Sequence, residues 1–341
     1  MKRIVLLFLA LSALTASAEN ASWLRYPSIS PDGNNVAFSY KGDIYIVDSE
    51  GGEARQLTSN PAYDYSPVWS PDGKTLAFAS DRYGNFDIFT IPVTGGVPFR
   101  VTTHSAKETP WTFTPDGKRL LFTARIQDPA ESAQFPKGTM TELYSVSVNG
   151  GRYEQVLATP AEEVSFIDKS GSFVYQDCKG GENIWRKHHT SSITRDIWMY
   201  DGTRHTKLTS FEGEDRSPRV SADENTVYFM SERDGSFNIY SFPLNNPDNV
   251  SRVTSHKTHP VRFLTVSDDD VLCYGYDGDI YVKRGESASK KLKITVRSDK
   301  NDDNLAELSV SGGGDNDLSA DGKQIAFIRR GEVFVASTEY N

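Results

Sequence analysis

One basic segment contains the residues best suited to bind a ligand. It holds Arg186, Lys187 and Arg195 together with the adjacent histidines His188 and His189. An arginine can grip a carboxylate through two parallel hydrogen bonds, and a neighbouring lysine adds a second positive charge. The segment therefore predicts an anion site. The alternative interpretation is a solvated loop whose cations pair with nearby aspartates and glutamates.

Metal and cofactor chemistry have little support in the sequence. The two adjacent histidines project in different directions, and His256 and His259 have no carboxylate at a ligand-like spacing. Cys178 and Cys273 lie 95 residues apart, and neither has a second cysteine nearby, which argues against a thiolate site. We therefore predict no metal and no cofactor, and we interpret the cysteines as two separate buried thiols.

The sequence carries no recognisable catalytic motif. It has no G-x-S-x-G nucleophile elbow, no H-E-x-x-H zinc motif, no Walker loop and no G-x-G-x-x-G dinucleotide motif. We therefore predict no catalytic residue in this chain. The charge balance also argues against a nucleic-acid partner, because 46 acidic residues outnumber 37 basic ones and the formal net charge is -9.

Residues 1–18 have the organisation of a secretory signal peptide. Lys2 and Arg3 form a positive start, residues 4–16 form an apolar run too short to span a bilayer, and the A-S-A sequence that ends at Ala18 is typical of a cleavage site. We predict cleavage after Ala18 and export, to the periplasm in a host with two membranes. No membrane span is expected after cleavage.

Beyond the signal peptide, an internal repeat with a spacing of 40 to 54 residues sets the positions of these side chains. Each clear copy has a turn of the form Ser/Thr-x-Asp-Gly, followed by a short apolar triplet that ends in Phe. The 16 tyrosines and 18 phenylalanines favour strands over helices. Repeats of this length that are built from short strands are typical of propeller blades. The clear copies begin at Ser30, Ser70, Thr114 and Ser319, and three degenerate copies end at Tyr175, Phe229 and Tyr274.

The repeat predicts an all-β fold: a six-bladed β-propeller of four-stranded blades, followed by the truncated start of a second propeller. The ring is expected to close without a strand exchanged between its ends, because the first and sixth units each supply four strands. The aspartates of the turns are interpreted as structural. The predicted boundaries are a signal peptide at 1–18, the propeller at 19–297, an acidic linker at 298–308 and a partial first blade of the second propeller at 309–341.

The long insertions all fall on one face of the predicted ring. Blade three inserts residues 125–141 and blade four inserts residues 178–195, in each case between the second and third strands. Function concentrates in loops that a rigid scaffold holds, so this face is predicted to carry the site. The basic segment belongs to the blade-four insertion, and Arg125 begins the blade-three insertion.

The repeat pattern S-P-D-G, (L/V)-A-F and D-R-x-G-x-F-D-I resembles the propeller units of tricorn proteases and of Tol-system proteins. Segment 182–198, E-N-I-W-R-K-H-H-T-S-S-I-T-R-D-I-W, is similar to the tricorn-like peptidases of the exported bacterial kind. The order of domains, a six-bladed propeller before the start of a second, also matches that family. The resemblance covers nearly all of residues 20–341, and it implies the N-terminal region of a serine peptidase that degrades oligopeptides.

The same resemblance implies partners and a site. The catalytic serine and histidine would lie in C-terminal domains that this chain lacks, around a PDZ-like module and after a second propeller. The present propeller would act as a non-catalytic gate or filter for oligopeptides, and its basic residues would hold the C-terminal carboxylate of the peptide. Arg186 and Lys187 are the residues predicted for this role, with Arg125 as the alternative.

The main alternative function is a stand-alone periplasmic propeller of the Tol-system type that acts as a protein-binding scaffold. That family has an α/β domain before its ring, whereas here the first blade is expected soon after the predicted cleavage site. A prolyl-oligopeptidase-type enzyme is disfavoured because it needs a G-x-S-x-G motif. Assembly into a homo-oligomer stays open.

Overall fold

The computed structural model describes residues 19–126, 140–181, 185–297, 314–329 and 332–339. All regular secondary structure in these residues is β-strand, and the predicted all-β class is confirmed. The chain divides into two compact units, Met1–Arg297 and Ser298–Asn341. The predicted signal peptide (1–18) and the predicted linker (298–308) lie outside the described residues and stay predictions.

The first unit is a six-bladed propeller in which each blade is a meander of four antiparallel strands. A short strand, β1 (Glu19–Asn20), precedes the blades. Blades one and two are β2 (Arg25–Ile29), β3 (Asn35–Tyr40), β4 (Asp43–Asp48) and β5 (Gly52–Gln56), then β6 (Asp64–Trp69), β7 (Thr75–Ser80), β8 (Asp87–Pro92) and β9 (Phe99–Arg100). Blades three and four are β10 (Thr109–Phe113), β11 (Arg119–Ala124), β12 (Glu142–Ser147) and β13 (Glu154–Leu157), then β14 (Ala161–Phe166), β15 (Phe173–Asp177), β16 (Ile197–Tyr200) and β17 (His205–Lys207). Blades five and six are β18 (Asp215–Val220), β19 (Thr226–Ser231), β20 (Asn238–Pro243) and β21 (Ser251–Arg252), then β22 (Arg262–Val266), β23 (Val271–Tyr276), β24 (Asp279–Arg284) and β25 (Lys290–Lys291).

The aspartates of the repeat organise the turn between the first two strands of a blade. In blade one, Ser30 Oγ donates a hydrogen bond to Asp32 Oδ1 at 2.5 Å, and the backbone amide of Asn34 donates to the same oxygen at 3.1 Å. These bonds lower the pKa of Asp32. Gly33 takes a φ of 69°, which a side chain would strain. Asp72, Asp116, Asp223 and Asp321 make the same contacts in their own turns, so the structural interpretation of these residues is confirmed.

Six hydrophobic cores of the described residues lie between neighbouring blades, one at each junction, and a smaller seventh cluster in blade two contains Tyr63, Tyr65 and Ala79. Between blades one and two, for example, Ile44 and Ile46 pack with Phe78 and Phe89. Alternate residues of a strand point to opposite faces, so an inner strand contributes to the cores on both sides of its blade. Each blade therefore depends on both neighbours for burial.

Ring closure differs from the sequence prediction. The last strand of blade six ends at Lys291, and the following segment, β26 (Ile294–Val296), leaves that blade. It pairs in parallel with β5 on the outer edge of blade one, and β1 pairs with it on the other side. Gly51 permits this approach, because a Cβ there would lie 2.8 Å from the carbonyl oxygen of Lys293. The two ends of the propeller chain are thus hydrogen-bonded within one sheet.

The second unit is a single antiparallel sheet of three strands, β27 (Gly314–Leu318), β28 (Gln324–Arg329) and β29 (Glu332–Ser337). It repeats the Ser-x-Asp-Gly turn at Ser319. Leu318, Val333 and Val335 are exposed by 55%, 70% and 63%. That the sheet begins a second propeller stays a prediction. Among the described residues of both units, no helix is long and apolar enough to cross a membrane.

Candidate functional site

The first strand of every blade is irregular near its start. In all six blades its register with the second strand shifts by a bulge. Bulges locally re-aim side chains and are frequent beside functional sites. In five blades the residue at the bulge has a positive φ between 51° and 59°, and each of these residues lines the axis of the ring: Tyr26, Ser66, Glu163, Ser217 and Phe263.

These bulges surround a cavity of about 660 Å³ on the propeller axis, with walls from all six blades. The volume is within the range of small-ligand sites. Its charged lining has five cations and two carboxylates, in a protein whose net charge is -9. The wall is therefore locally positive, which favours an anionic ligand. The cations are Lys107, Arg125, Arg216, Arg219 and Arg262, and the carboxylates are Glu162 and Glu163.

The three residues predicted to bind a carboxylate differ in their position relative to the cavity, because one lines it and two do not. Arg125 lines the cavity, is exposed and forms no ion pair with a described residue. Arg186 and Lys187 are not among the lining residues, whereas Trp185, directly before them, is. Arg186 is exposed and Lys187 is half-buried. The proposed role of all three stays a prediction.

Arg262 is a wall residue that the sequence analysis did not select. Its guanidinium donates a hydrogen bond to the carbonyl of Trp185 at 3.3 Å and lies 5.1 Å from the centre of the Phe237 ring. Burial, with the neighbouring Arg216 guanidinium, lowers the pKa of Arg262 to about 10, so it remains charged at neutral pH. The signal that could have found it is its position directly before the bulge, which Arg25 and Arg216 share in blades one and five.

The other two arginines of the wall are matched by acidic partners. Arg216 Nε donates to Glu214 Oε2 at 2.8 Å, and Arg219 pairs with Glu163 at 2.5 Å. Their charges are therefore largely compensated by the protein. Arg125 and Arg262 have no such ion pair among the described residues, and they belong to blades three and six, which face each other across a six-bladed ring.

Comparison with known proteins identifies the family to which this propeller belongs. The family profile described as the tricorn protease N-terminal beta propeller domain matches residues 21–291. The chain belongs to this family. The matched residues span all six blades, and we therefore refer to residues 19–297 as the tricorn-type propeller.

Relatives and solved structures agree with this assignment. A tricorn protease homolog of Saccharolobus solfataricus is 28% identical over 203 residues, which cover 57% of this chain and 18% of that protein. The crystal structure of the tricorn protease superposes with a TM-score of 0.68 and 22% identity, over 93% of this chain and 30% of that one. TolB from Acinetobacter baumannii gives 0.55 and 17%, over 77% of this chain and 61% of that one. The chain spans less than two thirds of each of these proteins.

His256, one of the histidines considered as a metal ligand, has structural partners within the tricorn-type propeller. His256 Nε2 lies 2.9 Å from the Tyr274 hydroxyl, and its ring stacks on Tyr276 with centres 3.8 Å apart. Cys178 and Cys273 are both free and buried, as predicted. Within the described parts of the chain, no group of three or more His, Cys, Asp or Glu side chains is arranged to hold a metal.

One buried carboxyl lies directly behind the cavity wall of the tricorn-type propeller. Glu108, between the wall residues Lys107 and Thr109, has no exposed surface and accepts a hydrogen bond from Thr102 Oγ1. Burial raises its pKa to about 8, and the nearby Asp87 charge adds to the rise. The folded state therefore holds a proton that the unfolded chain releases at a lower pH.

This carboxyl predicts a specific pH dependence of stability. The pKa of Glu108 is higher in the folded state than in the unfolded chain. The protonated side chain therefore contributes its full stabilisation of the fold below about pH 4.3, and this stabilisation is lost as the pH rises toward 8. We expect Glu108→Gln to remove that loss, so that its stability relative to the parent rises by about 4 kcal/mol when the pH is raised from 5 to 9, at about 1.36 kcal/mol for each pKa unit crossed. Urea unfolding at both pH values measures the gain. The exposed Glu154→Gln is the control, and an equal gain there, or none at Glu108, contradicts the prediction.

Proposed function

We propose that the chain is the N-terminal, non-catalytic propeller of a tricorn-like serine peptidase, and that its axial cavity admits oligopeptides and holds them by the C-terminal carboxylate. The family assignment supports the peptidase context. The nucleophile and its base would come from other domains of the full protein. The present chain would select peptides and would not cleave them.

The observation that carries the proposal is the locally positive wall of the cavity. An arginine binds a carboxylate through charge-assisted hydrogen bonds, and each such bond contributes about 1.5–3 kcal/mol. Arg125 and Arg262 can offer these bonds because neither guanidinium forms an ion pair with a described residue. The aromatic residues of the wall, among them Trp185 beside Arg262, supply apolar surface for the rest of the peptide.

Titration calorimetry with acetyl-tetra-alanine as the free acid and as the C-terminal amide tests this function. We expect the acid to bind about tenfold more tightly than the amide. This ratio corresponds to the lower end of the free-energy range for charge-assisted hydrogen bonds, because the cavity is open to solvent. Arg125→Ala and Arg262→Ala should each reduce the difference, whereas Arg252→Ala, on an outer strand away from the cavity, should not. Neither peptide should be cleaved.

Two outcomes bear on the details of this proposal. Equal affinity of acid and amide in the unaltered protein would contradict carboxylate recognition. If Arg186→Ala and Lys187→Ala remove the difference and the two wall substitutions do not, the blade-four insertion holds the carboxylate, as the sequence predicted.

We also propose that the protein is exported and that its signal peptide is cleaved after Ala18. The positive, apolar and A-S-A segments of residues 1–18 support this. Expression in a bacterium with two membranes should give a mature chain that begins at Glu19 in the periplasmic fraction. Intact-mass measurement checks the cleavage, and replacing Leu6 and Leu7 with Arg should leave an uncleaved chain in the cytoplasm. Recovery of uncleaved parent protein would refute export by this route.

A further inference from the structure

Four aromatic side chains form a continuous arc along one side of the cavity. The ring centres of Trp185 and Phe263 are 6.1 Å apart, those of Phe263 and Tyr26 are 4.6 Å apart, and those of Tyr26 and Tyr65 are 5.3 Å apart. We call these four residues the aromatic arc. They come from the blade-four insertion and from the first strands of blades six, one and two, and all four line the cavity.

The arc is fixed in place by the protein. Trp185 is held by the hydrogen bond that Arg262 donates to its carbonyl, and the Arg262 guanidinium lies 5.6 Å from its ring centre. Phe263 lies on Gly275, where an added Cβ would be 3.1 Å from the ring carbon Cδ2. Tyr65 is 6% exposed and is packed against Phe86. A ligand would meet rings that are already positioned, which reduces the entropy cost of binding.

A positively charged side chain lies at each end of the aromatic arc. Lys107 Nζ lies 5.3 Å from the centre of the Tyr65 ring, and Arg262 is at the Trp185 end. Arg262 has no carboxylate within 4 Å among the described residues. A carboxylate bound there would lie beside the Trp185 and Phe263 rings. The side chain attached to the same α-carbon would then rest on the arc.

We propose that the aromatic arc is a side-chain subsite for the C-terminal residue of a peptide, selective for an aromatic side chain, while Arg262 binds the adjacent carboxylate. The inference rests on the proposed peptide-binding function and names its substrate class: peptides that end in Phe, Tyr or Trp. The neighbouring rings of the arc are tilted or edge-on to one another. An aromatic side chain of a ligand could therefore contact them in the offset or edge-to-face geometries that aromatic rings prefer.

Calorimetry with acetylated tri-alanine peptides extended by one residue tests the subsite. The last residue is Ala, cyclohexylalanine or Phe, and each peptide is used as the free acid and as the amide. We expect the Phe acid to bind at least tenfold more tightly than the Ala acid, because a large apolar side chain leaves water. It should bind about two- to tenfold more tightly than the cyclohexylalanine acid, which has a similar shape and no π-system.

Variants locate the preference on the arc. Trp185→Leu removes a ring that is 48% exposed and outside the hydrophobic cores, so folding should be unaffected. Phe263→Leu removes the next ring. Both should reduce the ratio of Phe to cyclohexylalanine affinity to near one. Tyr83→Leu removes an aromatic residue that is 63% exposed and does not line the cavity, and it should leave the ratio unchanged.

The outcomes separate this inference from the proposed function. Loss of the preference for acid over amide would refute the proposed function and the subsite together. Retention of that preference with equal affinities for Phe and cyclohexylalanine would overturn the aromatic subsite alone. A Phe preference that survives both Trp185→Leu and Phe263→Leu would also overturn it, because the selective surface would then lie elsewhere.

Discussion

Ile294→Asp is expected to lower the Tm of the full chain by roughly 10 °C, because it releases the strand that closes the ring. Ile294 and Val296 of β26 are 3% and 7% exposed and pack in the core between blades six and one. Truncating or charging one such residue costs about 2–5 kcal/mol, and each kcal/mol shifts the Tm of a domain of this size by about 2–4 °C. Differential scanning calorimetry gives the shift directly.

The same strand supplies the control for this prediction. Thr295 lies between the two buried residues and is half-exposed, since alternate side chains of a strand point to opposite faces. Thr295→Asp introduces the same carboxylate into the same hydrogen-bonded segment, and its cost should stay below about 1 kcal/mol. If both variants melt like the parent, β26 does not stabilise the ring. If both lose stability equally, the backbone pairing rather than the burial of Ile294 is what matters.

The closing strand β26 is a feature of the fold that the sequence did not predict. The repeat predicted the number of blades and the positions of their strands, because turns and apolar triplets are local signals. It also predicted that the ring closes without a strand exchanged between its ends, so it did not anticipate that residues 294–296 leave blade six and pair with blade one. The choice of partner depends on the outer edge of blade one and on the space that Gly51 leaves, and both are non-local.

The lining of the cavity was predictable only in part. The repeat and its insertions singled out Arg125, and the structure places Arg125 in the cavity wall, while its role in binding a carboxylate stays a prediction. Arg262 and Phe263 carry no motif, because their position follows from a bulge in the first strand and from a ring that brings blade six next to blade one. Trp185 lies in the blade-four insertion directly before the basic segment, yet its contact with Arg262 joins residues 77 apart in the sequence. Such contacts become visible only in the assembled ring.

Arg82→Ala is expected to cost about 3–5 kcal/mol of folding free energy, because it leaves a buried carboxylate without its counter-charge. Arg82 donates to both carboxylate oxygens of Asp64 at 3.0 Å and to Ser80 Oγ at 2.8 Å. Asp64 has no exposed surface and directly precedes Tyr65 of the aromatic arc. Urea unfolding at neutral pH measures the cost. Arg233 binds Asp215 in the same way in blade five, so Arg233→Ala should behave alike.

The pH dependence of the Arg82→Ala defect identifies its cause. Burial already raises the pKa of Asp64 above its unfolded value with Arg82 present, so its ionisation costs stability as the pH rises through the folded pKa. Without the guanidinium the folded pKa rises further, and the stability gap between parent and variant should widen between pH 5 and pH 8. The exposed pair of Arg297 with Glu53 is the control, and Arg297→Ala should cost less than about 1 kcal/mol at either pH. A gap of constant size would assign the Arg82 effect to lost packing on Phe89, whose ring centre lies 4.4 Å from the guanidinium, rather than to the buried charge.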